Sequence, residues 1–144
     1  MEERFKSGAC VDLLMYKEEN DKLQVLLMRR KNTGSNDGEY ELPGGHLERD
    51  EDLFDAMVRE TEEELLVKIK REDLELVHLM HHYSGTRMNF IFKVNGKYLK
   101  PKIGEPHKCD KLEWFDIDKL PKNISSKMAK MIENVKAKIF YDKM

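Results

Sequence analysis

The sequence predicts an α/β fold in which helices cover a mixed β-sheet. Segments with strand-type alternation lie on both sides of one acidic amphipathic helix, and a second amphipathic helix follows the last strand. No internal repeat or low-complexity linker interrupts the chain. Residues 1–144 are therefore expected to form one domain, which is long enough to bury a core without disulfides or a structural metal.

The N-terminal third is predicted to be a hairpin followed by a loop. The mostly apolar residues 7–16 and 23–28 are predicted strands, and the polar residues between them form the turn. Residues 31–38 have the composition of a loop, and residues 40–42 return to extended structure. Residues 43–45, Pro-Gly-Gly, are expected to join neither a helix nor a sheet.

The middle of the chain is predicted to hold the acidic helix. Asp50, Glu51 and Asp52 supply capping groups and first-turn acids for a helix that ends near Leu65. The elements after it are three predicted strands and one helix, over residues 74–83, 88–94, 111–115 and 125–140. Residues 101–108 form a loop between the last two strands.

The acidic helix carries its negative charges where they are least favourable. Glu60, Glu62, Glu63 and Glu64 lie in its last turns, where like charges repel and the helix dipole disfavours carboxylates. At about 100° per residue, Glu64 projects into the apolar face, and Glu60 and Glu63 flank it. Partly buried carboxylates need a counter-charge, and oxygen ligands of this kind suit Mg²⁺. The pattern predicts a metal site on this helix.

Composition and charge limit the partners of the chain. Its formal net charge of −2 argues against a long nucleic-acid partner, because such proteins usually carry a basic excess. Cys10 and Cys109 are isolated, which predicts free thiols and no zinc site. The sequence shows no signal-peptide pattern and no apolar run of membrane-spanning length. A cytoplasmic monomer or homodimer without a membrane partner is expected.

Residues 45–67 resemble the signature of the Nudix hydrolases, Gly-x5-Glu-x7-Arg-Glu-U-x-Glu-Glu-x-Gly-U, in which U is aliphatic. Six fixed positions are present at this spacing: Gly45, Glu51, Arg59, Glu60, Glu63 and Glu64. Two positions depart, because Thr61 replaces an aliphatic residue and Leu66 replaces the glycine that usually ends the helix. The resemblance, to a minimal MutT-like member, implies an α/β/α sandwich around a mixed sheet.

The resemblance also implies a reaction: hydrolysis of a nucleoside diphosphate linked to another group, with Mg²⁺ or Mn²⁺ required. It implies that Glu60, Glu63 and Glu64 bind the metal with help from the Gly44 carbonyl. Arg59 can hold Glu51 or Glu63 with a bidentate bond. The base that accepts a proton from water is expected to be Glu64 or, as the weaker candidate, Glu105 in the 101–108 loop.

Contacts to the rest of the substrate fall outside the signature. Gly44 and Gly45 let a ligand approach the backbone closely, and His46 is the nearest polar side chain to the expected phosphates. Four aromatic residues are candidates for stacking a base: Tyr83, Phe90, Phe92 and Trp114. The short chain favours a compact nucleotide such as an intact or damaged nucleoside triphosphate, while ADP-ribose and nucleotide sugars stay open.

Two other functions stay open at the level of sequence. A catalytically silent nucleotide sensor would keep the fold without turnover, although the complete set of Glu60, Glu63 and Glu64 counts against it. An isoprenoid-diphosphate isomerase of the same fold needs a cysteine beside a glutamate. Neither Cys10 nor Cys109 stands in such a context, so this alternative has little support.

Overall fold

A computed structural model describes residues 2–144 and contains an eight-stranded mixed sheet with helices packed on both faces. The strands are β1 (Gly8–Glu19), β2 (Lys22–Arg30), β3 (Tyr40–Glu41), β4 (Gly44–His46), β5 (Glu75–His82), β6 (Arg87–Asn95), β7 (Cys109–Asp116) and β8 (Tyr141–Lys143). The helices are α1 (Leu53–Leu65) and α2 (Ser126–Lys136), with a 3₁₀ turn at Arg71–Asp73. Within residues 2–144, no helix has the length and apolar character that spanning a bilayer requires.

Strands β1 and β6 form the parallel centre of the sheet, whose main path runs β3-β2-β1-β6-β5-β8. On the side of β1 that faces away from β6, two strands pair with it: β2 with its C-terminal part and β4 with its N-terminal part. In this register Gly44 lies opposite Asp12, and Gly45 lies opposite Val11. The short strand β4 thereby connects the centre of the sheet to the start of the acidic helix.

Strand β4 contradicts the expectation that residues 43–45 join no sheet. Gly44–His46 pairs antiparallel with β1. A Cβ atom at Gly44 would lie 2.1 Å from the carbonyl oxygen of Val11, so only glycine allows the two backbones to come this close. Glycine has a low propensity for strands, yet only residues without a Cβ atom leave room for β4 to pair with β1.

The second helix is shorter than the predicted span of residues 125–140. Helix α2 ends at Lys136, and Lys138 adopts a left-handed conformation with φ of 59° that turns the chain back. Tyr141–Lys143 then pairs in parallel with β5 as an edge strand. The position of Ile139 fits the apolar spacing of a helix, but the chain here leaves the helix and pairs with the open edge of β5.

The sheet divides the core into two clusters, one beneath each helix. Val11, Leu13 and Met15 of β1 pack toward α1, whereas Leu14 packs toward α2. Successive side chains of a strand point to opposite faces, so a continuously apolar strand serves both clusters. The predicted α/β/α sandwich is confirmed. Cys10 and Cys109 are also free thiols, as predicted.

Helix α1 begins where its capping residues predict. Asp52 is the N-cap, and its Oδ1 accepts a hydrogen bond from the Asp55 backbone N–H at 2.8 Å. The Asp55 side chain accepts in turn from the Asp52 backbone N–H at 3.2 Å, which completes a capping box. Arg71 also donates to both carboxylates, which lowers the pKa of Asp52 well below its ordinary value.

Leu66 ends α1 in the left-handed conformation that glycine usually provides. Its φ and ψ are 55° and 36°, its N–H donates to the Glu62 carbonyl at 3.1 Å, and its side chain is exposed. Leu66 therefore ends the helix in the same backbone conformation as the glycine of the signature, but its Cβ atom makes that conformation strained. We expect Leu66→Gly to raise the free energy of unfolding by about 1 kcal/mol, measured by urea denaturation.

The matched control for this prediction is Leu66→Ala, which removes the side chain but keeps a Cβ atom in the left-handed conformation. We expect it to give no comparable gain, since the strain comes from Cβ. A glycine variant no more stable than the alanine variant would contradict the strain at Leu66.

Candidate active site

Arg59 gathers the acidic side chains at the edge of α1. Its Nε and Nη2 donate to Glu51 at 3.1 and 2.8 Å, so Glu51 is the one of the two predicted partners, Glu51 and Glu63, that Arg59 holds with a bidentate bond. Its Nη1 donates to Glu60 at 2.9 Å and to Glu63 at 3.4 Å, and its Nη2 also reaches the His46 carbonyl at 3.1 Å. The hydrogen bonds to Glu51 raise the pKa of Arg59 above its ordinary value.

Glu64 is a half-buried member of the acidic group, and within residues 2–144 it forms no ion pair. Its Oε2 accepts a hydrogen bond from the Gly44 N–H at 3.0 Å. Burial, and next the charge of Glu60, raise the pKa of Glu64 to about 9. Glu41 and Glu105 add further negative charge nearby. Ionised Glu64 therefore requires a cation that the described side chains do not supply.

Glu60 lies directly against the backbone of Gly45. A Cβ atom at Gly45 would come within 2.2 Å of Glu60 Oε1, so this position tolerates no side chain while the carboxylate stays in place. Burial raises the pKa of Glu60, and the hydrogen bond from Arg59 opposes that shift. The close contact fixes the Glu60 carboxylate beside β4.

We expect Gly45→Ala to lower the free energy of unfolding by roughly 1–3 kcal/mol, because the new methyl group must displace the Glu60 carboxylate. The matched control is Gly85→Ala in the β5–β6 hairpin, where the nearest atom to a new Cβ would be 3.8 Å away. We expect that control to stay within about 0.5 kcal/mol of the parent protein in urea denaturation. Equal effects of the two substitutions would contradict the contact.

The loop of residues 101–108 brings Glu105 to the acidic group. The Gly104 N–H donates to the Glu64 carbonyl at 2.8 Å, which satisfies one of the free carbonyls at the end of α1. Glu105 follows directly, and its partly buried carboxylate is near enough to raise the pKa of both Glu60 and Glu64. The loop therefore adds a carboxylate to the group formed by the helix.

The carboxylates do not form an assembled metal site in this conformation. Among residues 2–144, no group of three or more His, Cys, Asp or Glu side chains is placed to hold a metal ion. This corrects the expectation that Glu60, Glu63 and Glu64 already converge, because Arg59 binds the first two and Glu64 turns toward Gly44. The donors still fit a hard divalent cation, since all are carboxylate oxygens and half-buried Glu64 forms no ion pair with any described residue.

A polar cavity of about 690 Å³ lies beside β4. Its lining includes Asp12 and Asn89, which are 7% and 6% exposed and joined by a 2.7 Å hydrogen bond from Asn89 Nδ2 to Asp12 Oδ2. Burial raises the pKa of Asp12 to about 7. His46 also lines the cavity, with its Nδ1 3.3 Å from the Sγ of Cys10.

The rest of the cavity combines an apolar surface with cationic side chains. The apolar lining comes from β3, α2 and their flanking residues: Leu42, Ile124, Met128 and Met131. Arg30 is bound to Glu41 at 2.8 Å, whereas Arg87 and Lys127 form no salt bridge with any described residue. The cavity can therefore accept a ligand with both an apolar surface and hydrogen-bonding groups.

The aromatic residues predicted to stack a base do not line this cavity. Phe90 and Trp114 pack against the cluster beneath α1, and Phe92 is fully buried there. Phe90 follows Asn89 in β6, so the two side chains point to opposite faces of the sheet. Tyr83 is 60% exposed in the β5–β6 hairpin. These placements correct the predicted stacking wall.

Sequence reasoning missed the polar residues of the cavity. Asp12 was available as a signal, because it is a single charge inside an otherwise apolar strand segment. A charge that breaks the local pattern often marks a functional position. Asn89, Arg87 and Lys127 carry no comparable signal, since only the fold brings them beside Asp12.

Comparison with protein families decides the assignment. The family model of the NUDIX domain matches residues 6–135. The chain belongs to the NUDIX domain family. The resemblance of residues 45–67 to the Nudix signature is thus confirmed, as is the Nudix-type hydrolase class that it implies.

Solved Nudix structures share this fold. The MutT NUDIX hydrolase from Burkholderia pseudomallei has 24% identity and a TM-score of 0.73, over 88% of this chain and 95% of that one. The NUDIX domain of Shewanella oneidensis NrtR, complexed with ADP ribose, has 19% identity and a TM-score of 0.74, over 94% and 90%. A C. elegans Ap4A hydrolase has 19% identity and a TM-score of 0.67, over 89% and 96%. At these identities the likeness concerns the fold alone.

Proposed function

We propose that this Nudix protein is a pyrophosphohydrolase that depends on Mg²⁺ or Mn²⁺ and cleaves a small nucleotide between two phosphates. An intact or damaged nucleoside triphosphate is the substrate we favour, since the cavity is of nucleotide size. The observation that supports the proposal best is Glu64, a half-buried carboxyl group among other carboxylates that forms no ion pair within residues 2–144.

Glu60, Glu63 and Glu64, together with the Gly44 carbonyl, are the groups that would hold the cation. Their oxygen atoms are the ligand type that Mg²⁺ prefers, and a cation there would allow Glu64 to ionise at neutral pH. When bound, the metal neutralises charge on the phosphate oxygens and lowers the pKa of a coordinated water.

The residues of the chain supply the remaining chemistry. Gly44, Gly45 and His46 line the cavity beside β4, and His46 offers a polar contact for a diphosphate there. Glu64 is the first candidate to accept the proton of the attacking water, because it lies among the groups that would hold the metal and its water. Glu105 is the second candidate, placed near Glu60 and Glu64 by its loop.

The test measures turnover and cation binding separately. A nucleotide panel that includes triphosphates, ADP-ribose, Ap4A and a nucleotide sugar is assayed for phosphate and pyrophosphate with Mg²⁺ and with EDTA. In parallel, ¹³C-labelled glutamate carboxyls are followed by NMR during titration with Mg²⁺ and nucleotide, with assignments from single Glu→Gln variants. We expect Mg²⁺-dependent turnover and shifts at Glu60, Glu63 and Glu64.

Three outcomes separate the alternatives. Turnover of ADP-ribose or a nucleotide sugar, but of no triphosphate, would replace the favoured substrate; the Shewanella oneidensis domain complexed with ADP ribose makes this the second candidate. Nucleotide binding without turnover across the panel would indicate a sensor. Carboxyl signals of Glu60, Glu63 and Glu64 that ignore saturating Mg²⁺ and nucleotide would overturn the proposed metal site.

A further inference from the structure

Cys10 and His46 bring a sulfur and a nitrogen metal ligand together at the wall of the cavity beside β4. The two residues lie directly opposite each other in the antiparallel pairing of β1 with β4, so their side chains share a face, and both line the cavity. The Sγ of Cys10 is 3.3 Å from the Nδ1 of His46. The residues are 36 positions apart in the chain, so only the sheet register joins them.

The separation of the two ligand atoms suits one cation bound between them. Zinc binds cysteine sulfur at about 2.3 Å and histidine nitrogen at about 2.0–2.1 Å with tetrahedral angles, which places the two ligand atoms about 3.6 Å apart. The observed 3.3 Å is slightly shorter, a difference that a small rotation of either side chain removes. Cys10 is 7% exposed, whereas His46 is exposed, so a cation can enter from the His46 side.

Asp12 supplies negative charge beside this pair. It lies two residues after Cys10 on the same face of β1, lines the same cavity and is 7% exposed. Asn89 donates to its Oδ2 at 2.7 Å, and Arg87 acts on its charge through space without forming a salt bridge to it. A buried carboxylate without an ion pair favours a cation in its surroundings. The cavity wall therefore has the chemistry of a cation site that contains sulfur.

The same surroundings argue against a role for Cys10 as a free nucleophile. Burial, and next the charge of Asp12, raise the pKa of the Cys10 thiol. A buried thiol of raised pKa stays protonated and is a poor nucleophile. A bound metal ion reverses this, because a coordinating thiol is deprotonated outright. Metal binding is thus the chemistry that the pair supports.

We propose that Cys10 Sγ and His46 Nδ1 bind Zn²⁺, and that the bound zinc inhibits hydrolysis by occupying the cavity at His46. The thiol proton leaves to water as the zinc–sulfur bond forms, and water molecules complete the coordination. The site is distinct from the carboxylates of α1: Gly45 faces Glu60, and His46, the next residue of β4, points to the other face. Only the inhibition rests on the proposed function, because zinc binding requires no turnover.

The first test measures cation binding in the absence of substrate. Co²⁺ serves as a spectroscopic substitute for Zn²⁺, and saturating Mg²⁺ is present so that the oxygen ligands of α1 are occupied. We expect reduced parent protein to show a cobalt–thiolate charge-transfer band in the near ultraviolet, which Zn²⁺ abolishes by displacing Co²⁺. Absence of this band in the parent protein would overturn the inference.

The second test removes one ligand at a time. We expect Cys10→Ser to lose the charge-transfer band. His46→Gln is expected to weaken Co²⁺ binding at least about tenfold, because even outer-shell partners contribute that much to metal affinity. The matched controls, Cys109→Ser and His81→Gln, are expected to bind Co²⁺ as the parent does. Cys109 is also a buried free thiol, but its Sγ donates to the Lys111 carbonyl.

The variants overturn the inference in two ways. A band that persists in Cys10→Ser, or that is lost equally in Cys109→Ser, would remove Cys10 as the ligand. His46→Gln covers the case in which the buried Cys10 variant does not fold, since His46 is exposed. Unchanged Co²⁺ affinity in folded His46→Gln, checked by circular dichroism, would remove His46 as the second ligand.

The third test concerns inhibition. Turnover of the best substrate of the nucleotide panel is measured with saturating Mg²⁺ and increasing Zn²⁺, and each protein is compared with its own zinc-free rate. We expect Zn²⁺ to inhibit the parent at a concentration at least about tenfold lower than it inhibits Cys10→Ser. Equal sensitivity of the two proteins would overturn the inhibitory role of this site.

The outcomes also separate this inference from the proposed hydrolysis. Co²⁺ binding that depends on Cys10, combined with no turnover of any nucleotide in Mg²⁺, would contradict only the hydrolase proposal. Mg²⁺-dependent turnover by a protein that shows no cobalt–thiolate band would contradict only the zinc site.

Discussion

Glu64→Gln is expected to lower kcat by roughly 10³-fold while the protein stays folded. The substitution removes the negative charge that the proposed metal and proton transfer both need. It keeps the shape of the side chain, and the amide oxygen can still accept the hydrogen bond from the Gly44 N–H. Because desolvation already raises the pKa of this half-buried carboxyl group to about 9, a neutral side chain costs the metal-free protein little stability. Steady-state kinetics with saturating Mg²⁺ measure the effect.

Glu62→Gln is the matched control on the same helix. Glu62 is exposed, and among the described residues its side chain forms a salt bridge only with Lys68, at 3.9 Å, so its neutralisation is expected to leave kcat within about twofold of the parent. Similar losses in both variants would indicate that the acidic surface of α1 acts through its total charge. Full activity of Glu64→Gln would remove Glu64 from the mechanism.

The second large effect concerns pH. In EDTA, we expect the free energy of unfolding to be at least about 2 kcal/mol lower at pH 8 than at pH 5. Burial raises the pKa of Asp12 from 3.8 to about 7 and that of Glu64 from 4.5 to about 9. Between these values the folded protein binds more protons than the unfolded chain, so stability falls as pH rises. The lowered pKa values of Glu51 and Asp52 act in the opposite direction below about pH 4.5, and the pKa of His82, lowered by burial, does so up to about pH 6.5, where it offsets part of the effect.

Urea denaturation across pH 5–8 measures this slope, and Glu64→Gln identifies its source. The variant lacks the titrating group and is expected to show a shallower dependence in EDTA. Mg²⁺ is expected to restore stability to the parent protein at pH 8 more than to the variant, since a ligand stabilises the state that binds it. A metal-free parent protein that gains stability from pH 5 to pH 8 would contradict the burial of these carboxyl groups.

Much of α1 could be predicted because its signals are local. Capping by Asp52 and the inward position of Glu64 follow from helical spacing, and the contact of Arg59 with Glu51 is one of the two that the sequence left open. Even the departure at Leu66 leaves the helix end in its expected conformation, because the surrounding structure imposes the left-handed geometry.

The predictions that failed depend on contacts between distant segments. Strand β4 exists because the backbone of β1 accepts Gly44 at a distance that no other residue allows. Strand β8 exists because β5 leaves an edge to pair with. Phe90 looked suitable for stacking a base, but the face of β6 that it occupies packs beneath α1.

The sequence by itself determined the family, the acidic helix and the carboxylates available to a cation, because spacing within one helix fixes which side chains share a face. Only the tertiary structure decided the shape of the candidate site. Asp12 and Asn89 contact each other because their strands pair, and Glu105 lies near the acidic group because its loop hydrogen-bonds to the end of α1. Phe90, Phe92 and Trp114 pack in the core beneath α1. Such contacts join residues far apart in the chain, so they depend on sheet register and packing, which no local pattern encodes.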